Sequence, residues 1–236
     1  MASKKKEKQK RKDALKRAKK AAKEVKRARR EAEKEKLREI EERKMSWTED
    51  PRELLRVPGD FNISEFKRDA TPGWEAGKKP GKKYRKERGK LMAELQERLF
   101  AQAQNGAQDA ALVVVQGMDT AGKGGIARHV LSMVDPQGVH LKSFKAPTEE
   151  ERNQHFLDRI RKELPQPGMI GMFDRSHYED VLIARVDNLV EPEVWERRYA
   201  EINRLEEKIA ESGTTIIKVA LMISRKEQGL RLMERL

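Results

Sequence analysis

With 236 residues, the chain is long enough for one sizeable domain plus an appendage, but only 36% of its residues are hydrophobic and its formal net charge is +13. The lack of cysteine excludes disulfide frameworks, thiolate zinc sites and a cysteine nucleophile. No apolar run approaches the roughly 20 residues of a membrane-spanning helix, and the charged N-terminus lacks the apolar segment of a secretory signal, so we expect a cytoplasmic protein without membrane contacts.

Residues 1–45 form a basic arm in the predicted domain organisation. They carry 21 Lys and Arg against 9 Asp and Glu, a net charge of +12, which leaves 32 against 31 in residues 46–236. The composition favours a solvated helical or disordered segment. The alternatives are a weak coiled coil, and a tether for nucleic acid or polyphosphate driven by counterion release. The coiled-coil alternative depends on a heptad-like stripe of Ala14, Ala18, Ala21, Val25, Ala28 and Ala32.

After the arm, residues 46–90 have the Trp, Pro and Gly content of an irregular connector, and the folded core is predicted over 91–236. Helical and strand patterns then alternate, which predicts an α/β fold: a parallel sheet between two layers of helices. Ligands of such sheets bind beyond the carboxyl ends of the strands. The predicted helices cover 90–103, 123–134, 148–164 with Thr148 as N-cap, and 192–211; the predicted strands cover 111–116, 139–144, 168–173 and 214–223.

The segment QGMDTAGKGG follows the first predicted strand and has the G-x-x-x-x-G-K spacing of a phosphate-binding loop. Gly117, Gly122 and Gly124 are expected to let backbone N–H groups approach phosphate oxygens at the start of a helix, and Lys123 adds a full charge. The magnesium-binding Ser or Thr that normally follows the lysine is replaced by Gly124. Asp119, inside the loop, is therefore predicted to supply the missing oxygen ligand.

A second carboxylate follows the third predicted strand, in the segment GMFDRSHYEDVLIARV. Asp174 is predicted to hold Mg²⁺ together with Asp119, with Mn²⁺ as the alternative ion, and Thr120 is a weaker candidate ligand. Arg175 is predicted to stabilise charge on a transferring phosphoryl group. The structural alternatives are that Asp119 caps its own loop and that Asp174 and Arg175 form an ion pair with each other or with another partner.

Further basic residues are predicted to border the same edge of the sheet. Arg128, Lys145 and Arg185, together with Arg175, would form a positive track suited to a ligand with many phosphates. His177 either lines this cleft or is a capping or packing residue. The four histidines show no metal-ligand spacing, and Ser176 lacks the glycine-flanked turn of a hydrolase nucleophile.

Three motifs in order, VVVQGMDTAGKGG, SFKAPTEEE and GMFDRSHYEDVLIARV, resemble the polyphosphate kinase 2 family, from about Phe61 to the chain end. The resemblance implies a P-loop kinase fold and magnesium-dependent transfer of the terminal phosphoryl group between inorganic polyphosphate and a nucleotide, without a phosphoenzyme. It also implies adenine nucleotides, with guanine nucleotides as an alternative, and a homo-oligomer. The form SHYEDVL looks most like members that phosphorylate both AMP and ADP.

The resemblance implies roles for individual residues. Asp119 matches the family's loop aspartate, Lys123 its phosphate-binding lysine, and Asp174 with Arg175 the pair after the third strand, although many members have Asn at the position of Asp174. Arg128 and Lys145 fall where members line a polyphosphate channel. Members continue past ISRKEQGLRLMERL into an arginine-bearing lid, whereas this sequence ends at Leu236, so we expect the core to be truncated at its C-terminus.

Two other functions fit the residues. One is a kinase that uses ATP as phosphoryl donor for a small metabolite or a nucleotide. The fold and the glycine loop do not by themselves determine the donor. The other is a noncatalytic relative that retains phosphate affinity and holds polyanions through its arm.

Overall fold

The computed structural model describes residues 23–36 and 47–236. These described residues divide into two compact units: residues 23–36, 47–64 and Thr71–Gly81 form the first, and Glu65–Ala70 with Lys82–Leu236 form the second. None of the described helices is both long enough and apolar enough to cross a membrane.

The described part of the basic arm is helical. Residues 23–36 form helix α1, and all of their side chains are exposed, including the apolar Val25. An ion pair between Arg27 Nε and Glu31 Oε1, 3.0 Å apart, links successive turns. The rest of the predicted stripe, Ala14 to Ala21, lies outside the described residues, so the coiled-coil alternative stays a prediction.

The first unit also contains the tryptophan-rich segment, which is held by local contacts. Helix α2, Pro51–Leu54, begins after Asp50, whose side chain accepts a hydrogen bond from the backbone N–H of Arg52. The rings of Trp47 and Trp74 meet edge to face with 5.4 Å between centroids, and Trp74 Nε1 donates to the carbonyl of Gly77 at 2.9 Å. Aromatic packing therefore joins the two ends of the segment from Trp47 to Trp74.

Helix α3 begins much earlier than the sequence predicts. It spans Lys78–Ala103, whereas the sequence predicts a helix only from residue 90. Residues 78–89 of the predicted irregular connector are therefore helical, a difference much larger than the usual uncertainty of one or two residues at a helix end. Pro80 does not prevent this because the first-turn N–H groups of a helix have no intrahelical partner. Further along, Gly89 lies against Met133, where an added Cβ would be 2.6 Å from the sulfur, so the glycine allows close packing.

Four parallel strands form the sheet, as predicted. They are β1 Ala110–Gly117, β2 Val139–Ser143, β3 Ile170–Asp174 and β4 Thr214–Leu221, in the order β2-β3-β1-β4. In this register Val115 of β1 is opposite Asp174 of β3, and Gly117 is opposite Leu221 of β4. The ends of β1 and β3 therefore bring the glycine loop and Asp174 to the same edge.

Helices connect the strands on both faces. They are α4 Lys123–Leu131, a 3-10 turn Pro136–Gly138, α5 Glu149–Arg152, α6 Asp158–Arg161, α7 Glu179–Val186, α8 Pro192–Glu211 and α9 Arg225–Met233. Alternate side chains of β1 divide the core: Leu112 and Val114 belong to the cluster with α7 and α8, whereas Val115 packs with Ala127 of α4. The three-layer α/β architecture is confirmed.

The single helix predicted over 148–164 is wrong. Thr148 is an N-cap in a capping box with Glu151, as its side chain suggested, but the helix ends at Arg152. The backbone N–H of Leu157 then donates to His155 Nδ1 at 3.3 Å, and Leu157 is buried in the core. A side-chain acceptor thus replaces a helical carbonyl, and the chain turns before α6.

Candidate phosphate-binding site

The glycine loop joins β1 to α4, and its three glycines meet different structural requirements. An added Cβ on Gly117 would lie 2.8 Å from the carbonyl oxygen of Leu221, so this position needs glycine for the close approach of β4. Gly122 has φ +105° and is the N-cap of α4, a conformation that favours glycine. Gly124 faces open space, with no heavy atom within 4 Å of an added Cβ. The surface over the start of α4 is accordingly clear for a ligand.

Lys123 folds back over this loop. Its Nζ donates to the carbonyl oxygens of Gly117 at 2.7 Å and Met118 at 3.2 Å. These carbonyls hold the ammonium group beside the N-terminus of α4, where the helix dipole also favours anions. The arrangement gives a local positive site at the end of β1.

Asp119 and Arg175 meet across the end of the sheet. Arg175 Nη2 lies 3.1 Å from Asp119 Oδ1, and the side chains are 41% and 71% exposed respectively, so both remain accessible to a ligand. Arg175 has φ +64°, which is unusual for a non-glycine residue, and its backbone N–H donates to the carbonyl of Val115. The ion pair of Arg175 is therefore with Asp119, not with the adjacent Asp174.

Two buried oxygens at this edge have no hydrogen-bond partner: Oδ1 of Asp174 and Oγ1 of Thr120. A buried unpaired oxygen is costly, and a divalent cation is one group that would satisfy it. The unpaired Asp174 carboxylate oxygen fits Mg²⁺ chemically, since this ion is usually held by one or two carboxylates together with phosphate oxygens, whereas the predicted second ligand, Asp119, is paired with Arg175. Within 23–36 and 47–236, there is no group of three or more His, Cys, Asp and Glu side chains that could hold a metal ion by itself.

The other predicted basic residues lie on three different parts of the fold. Arg128 is exposed on α4, and Lys145 is exposed just after β2. Arg185, near the end of α7, stacks on Trp195 with its guanidinium carbon 4.8 Å from the ring centroid. Their contribution to a positive track stays a prediction.

His177 does not line the cleft. It is 1% exposed, and its Nε2 is 3.2 Å from Glu206 Oε1, so packing is the correct alternative. Glu206 also accepts hydrogen bonds from the Tyr178 hydroxyl at 2.7 Å and from Lys218 Nζ at 2.8 Å. This polar cluster links the segment after β3 to α8 and β4.

The hydrogen bonds and burial in this cluster shift the pKa values of Glu206 and Tyr178. Burial pushes the pKa of Glu206 upward, but the hydrogen bonds from His177, Lys218 and Tyr178 outweigh burial and lower that pKa to about 2. Burial and then the hydrogen bond with Glu206 raise the pKa of Tyr178 to about 12. Glu206 is therefore a carboxylate and Tyr178 a neutral phenol at physiological pH.

We expect Glu206 to make stability depend on acid pH. Because its folded-state pKa lies below the ordinary value of 4.5, its contribution is present above pH 4.5 and is lost as the pH falls from 4.5 towards 2. Melting temperatures measured over this range should fall less steeply for Glu206→Gln than for the wild type. Glu207→Gln, an exposed neighbour on the same helix, is the control and should keep the wild-type slope; an unchanged slope in Glu206→Gln would contradict the assignment.

Sequence reasoning missed several residues that hold the site. Gln116 Nε2 donates to Ser176 Oγ at 3.1 Å, which ties the end of β1 to the segment after β3. Arg159 is 7% exposed and pairs with Asp180 at 3.2 Å. Gln228 and Arg231 of α9 donate to backbone carbonyls of the glycine loop. Gln228 and Arg231 are three residues apart in the sequence, a spacing compatible with one helix face, but this spacing does not indicate which groups they bind.

The chain is similar in sequence and in structure to known proteins. The family model described as polyphosphate kinase 2 matches residues 78–236. An AMP/ADP-polyphosphate phosphotransferase of Meiothermus ruber is 42% identical over 77% of this chain and 67% of that protein. An ADP-polyphosphate phosphotransferase of Rhodopseudomonas palustris is 39% identical over 61% of this chain and 53% of that protein. The crystal structure of polyphosphate kinase 2 from Arthrobacter aurescens is 48% identical, with a TM-score of 0.78, and covers 80% of this chain and 67% of that one.

Proposed function

We propose that this chain, which belongs to the polyphosphate kinase 2 family, transfers the terminal phosphoryl group between inorganic polyphosphate and a nucleoside mono- or diphosphate. The conversions would be AMP to ADP and ADP to ATP. The observation that carries the proposal is the paired Asp119 and Arg175 beside the glycine loop, within the segment that matches the family. The names of the relatives support the substrate classes.

In this proposal the basic residues bind phosphate oxygens and the acidic residues bind the metal ion. In the direction of nucleotide synthesis, an acceptor phosphate oxygen bonds to the terminal phosphorus of polyphosphate, and the bond to the shortened chain breaks without a phosphoenzyme. Lys123 and the N-terminus of α4 bind and orient phosphate oxygens, and Arg175 offsets charge on the transferring group. Asp119 and Asp174 would hold Mg²⁺, which neutralises charge on the bridging phosphates when bound; Mn²⁺ is the alternative ion.

The test is direct assay of the whole chain. With Mg²⁺, polyphosphate and either ADP or AMP, we expect ATP or ADP as product, detected by chromatography. Replacing polyphosphate by ATP as the donor for a panel of small metabolites separates this function from that of an ATP-dependent kinase. A folded sample that forms no nucleotide product with polyphosphate contradicts the proposal.

We further propose a cytoplasmic homo-oligomer that prefers adenine over guanine nucleotides. Exposed apolar side chains on α7, the following loop and α8 support self-association; they are Leu182, Val186, Leu189 and Tyr199. Light scattering coupled to gel filtration measures the assembly, and a monomeric mass at assay concentration would contradict it. Assays with GDP and GMP measure the base preference.

We propose that the basic arm adds affinity for polyanions, above all polyphosphate. In α1 the basic residues Lys23, Lys26, Arg30 and Lys34 recur at helical spacing and are exposed. Deleting residues 1–45 should weaken polyphosphate binding and reduce its salt dependence, measured by titration at several salt concentrations. Binding that keeps the same salt dependence after the deletion would assign the affinity elsewhere, and single-stranded DNA in the same titration tests for nucleic acid.

A further inference from the structure

Side chains of helix α9 donate hydrogen bonds to backbone carbonyl oxygens of the glycine loop. Gln228 Nε2 donates to the carbonyl oxygen of Asp119 at 3.1 Å, and Arg231 Nη1 donates to that of Thr120 at 3.0 Å. Arg231 is itself fixed by Glu227, whose Oε1 is 2.7 Å from its Nε. Two consecutive peptides of the loop are therefore held by one helix.

The fold explains why α9 reaches this place. Gly117 at the end of β1 is opposite Leu221 at the end of β4, so the two connections leave the sheet side by side. Ser224 caps α9 by accepting from the backbone N–H of Glu227. Gln228 and Arg231, three residues apart, then lie on one face of the helix, and both are half-buried.

The held peptides include a strained position. Thr120 has φ +67°, which is unfavourable for a residue with a branched Cβ. Because peptide bonds are trans, fixing the carbonyl of Asp119 directs the N–H of Thr120 away from α9. Fixing the carbonyl of Thr120 likewise orients the N–H of Ala121, which donates to the carbonyl of Met118 at 3.1 Å. The contacts from α9 thus set the conformation of the loop at the residue next to Asp119.

We propose that Gln228 and Arg231 are positioning residues that keep the glycine loop in its strained conformation and so hold Asp119 at Arg175. Neither residue needs to touch substrate for this role. The consequence for catalysis depends on the proposed phosphotransferase function, whereas the consequence for the loop does not.

Hydrogen exchange measures the loop directly. In Gln228→Ala and in Arg231→Ala, we expect the amides of the peptide covering 116–126 to exchange about tenfold faster than in the wild type, since each variant removes one hydrogen bond from the loop. Gln228→Glu keeps the shape of the side chain but lacks the N–H donor, so it should behave like Gln228→Ala. Lys226→Ala, an exposed residue on the opposite face of α9, is the matched control and should exchange like the wild type.

Kinetics adds a second readout. We expect kcat to fall by about 10²-fold in Gln228→Ala, because a small misplacement of a reacting group is costly, with little change in KM for polyphosphate. Arg231→Lys retains a cationic donor and should recover part of the kcat lost in Arg231→Ala. A wild type without turnover would contradict the proposed function but leave the exchange test valid. Wild-type exchange in both folded alanine variants would overturn the positioning role.

Discussion

Asp119→Ala is expected to lower kcat for phosphoryl transfer by about 10³-fold, because it removes a preorganised charge from the reacting phosphates. The loop lacks the hydroxyl that normally follows the lysine, and Asp119 is our proposed replacement for it as a ligand of Mg²⁺. The fold should not suffer, since the ion pair with Arg175 is exposed and such pairs contribute only about 0–1 kcal/mol. Steady-state assays and thermal melting of the same sample separate the two effects.

Two further variants sharpen this prediction. Asp119→Asn keeps the size of the side chain and removes its charge, so a loss of kcat similar to that of the alanine variant assigns the effect to charge. Asp109→Asn changes an exposed carboxylate immediately before the other end of β1 and should leave kcat unchanged. Near wild-type turnover in Asp119→Asn would mean that the metal is held by other residues.

The parallel sheet and the position of the glycine loop could be predicted because their signals are local. The apolar run before Gly117 and the spacing to Lys123 are contained in one short segment, and the carboxyl-end rule then brings Asp174 to the same edge. The register of Val115 against Asp174 agrees with this expectation. The boundaries of long helices were less predictable, since helix α3 continues through Pro80 where no N–H is required.

The contacts that hold the loop could not be predicted, because they join residues far apart in the sequence. Gln228 and Arg231 lie more than a hundred positions after the carbonyls that they bind, and nothing in their local pattern names a partner. The partner of His177 could not be predicted for the same reason. The neighbours of His177 in the sequence left both a cleft position and a packed position open, and only the fold, which places Glu206 of α8 against it and buries it, decides between them. Partners of polar side chains are set by tertiary packing.

Arg175→Ala is expected to lower kcat by about 10³-fold, because arginine N–H groups that stabilise a transferring phosphoryl group have effects of this size or larger. Asp119 holds the guanidinium beside the glycine loop before any ligand arrives. Arg175→Lys keeps the charge but loses the planar fork, so its kcat should fall between those of the wild type and Arg175→Ala. Initial rates at saturating polyphosphate and nucleotide provide the comparison.

The backbone at Arg175 allows charge and conformation to be separated. Its φ of +64° disfavours alanine as much as arginine, whereas glycine adopts it freely, so Arg175→Gly should be more stable than Arg175→Ala by about 1 kcal/mol in denaturant unfolding. Both variants lack the guanidinium and should have the same low kcat. If Arg175→Gly instead recovered activity, the backbone conformation of the turn after β3 would be the functional feature, and the guanidinium would not be required for catalysis. Equal stability of the two variants would show that the chain relaxes to an ordinary φ once the ion pair with Asp119 is gone.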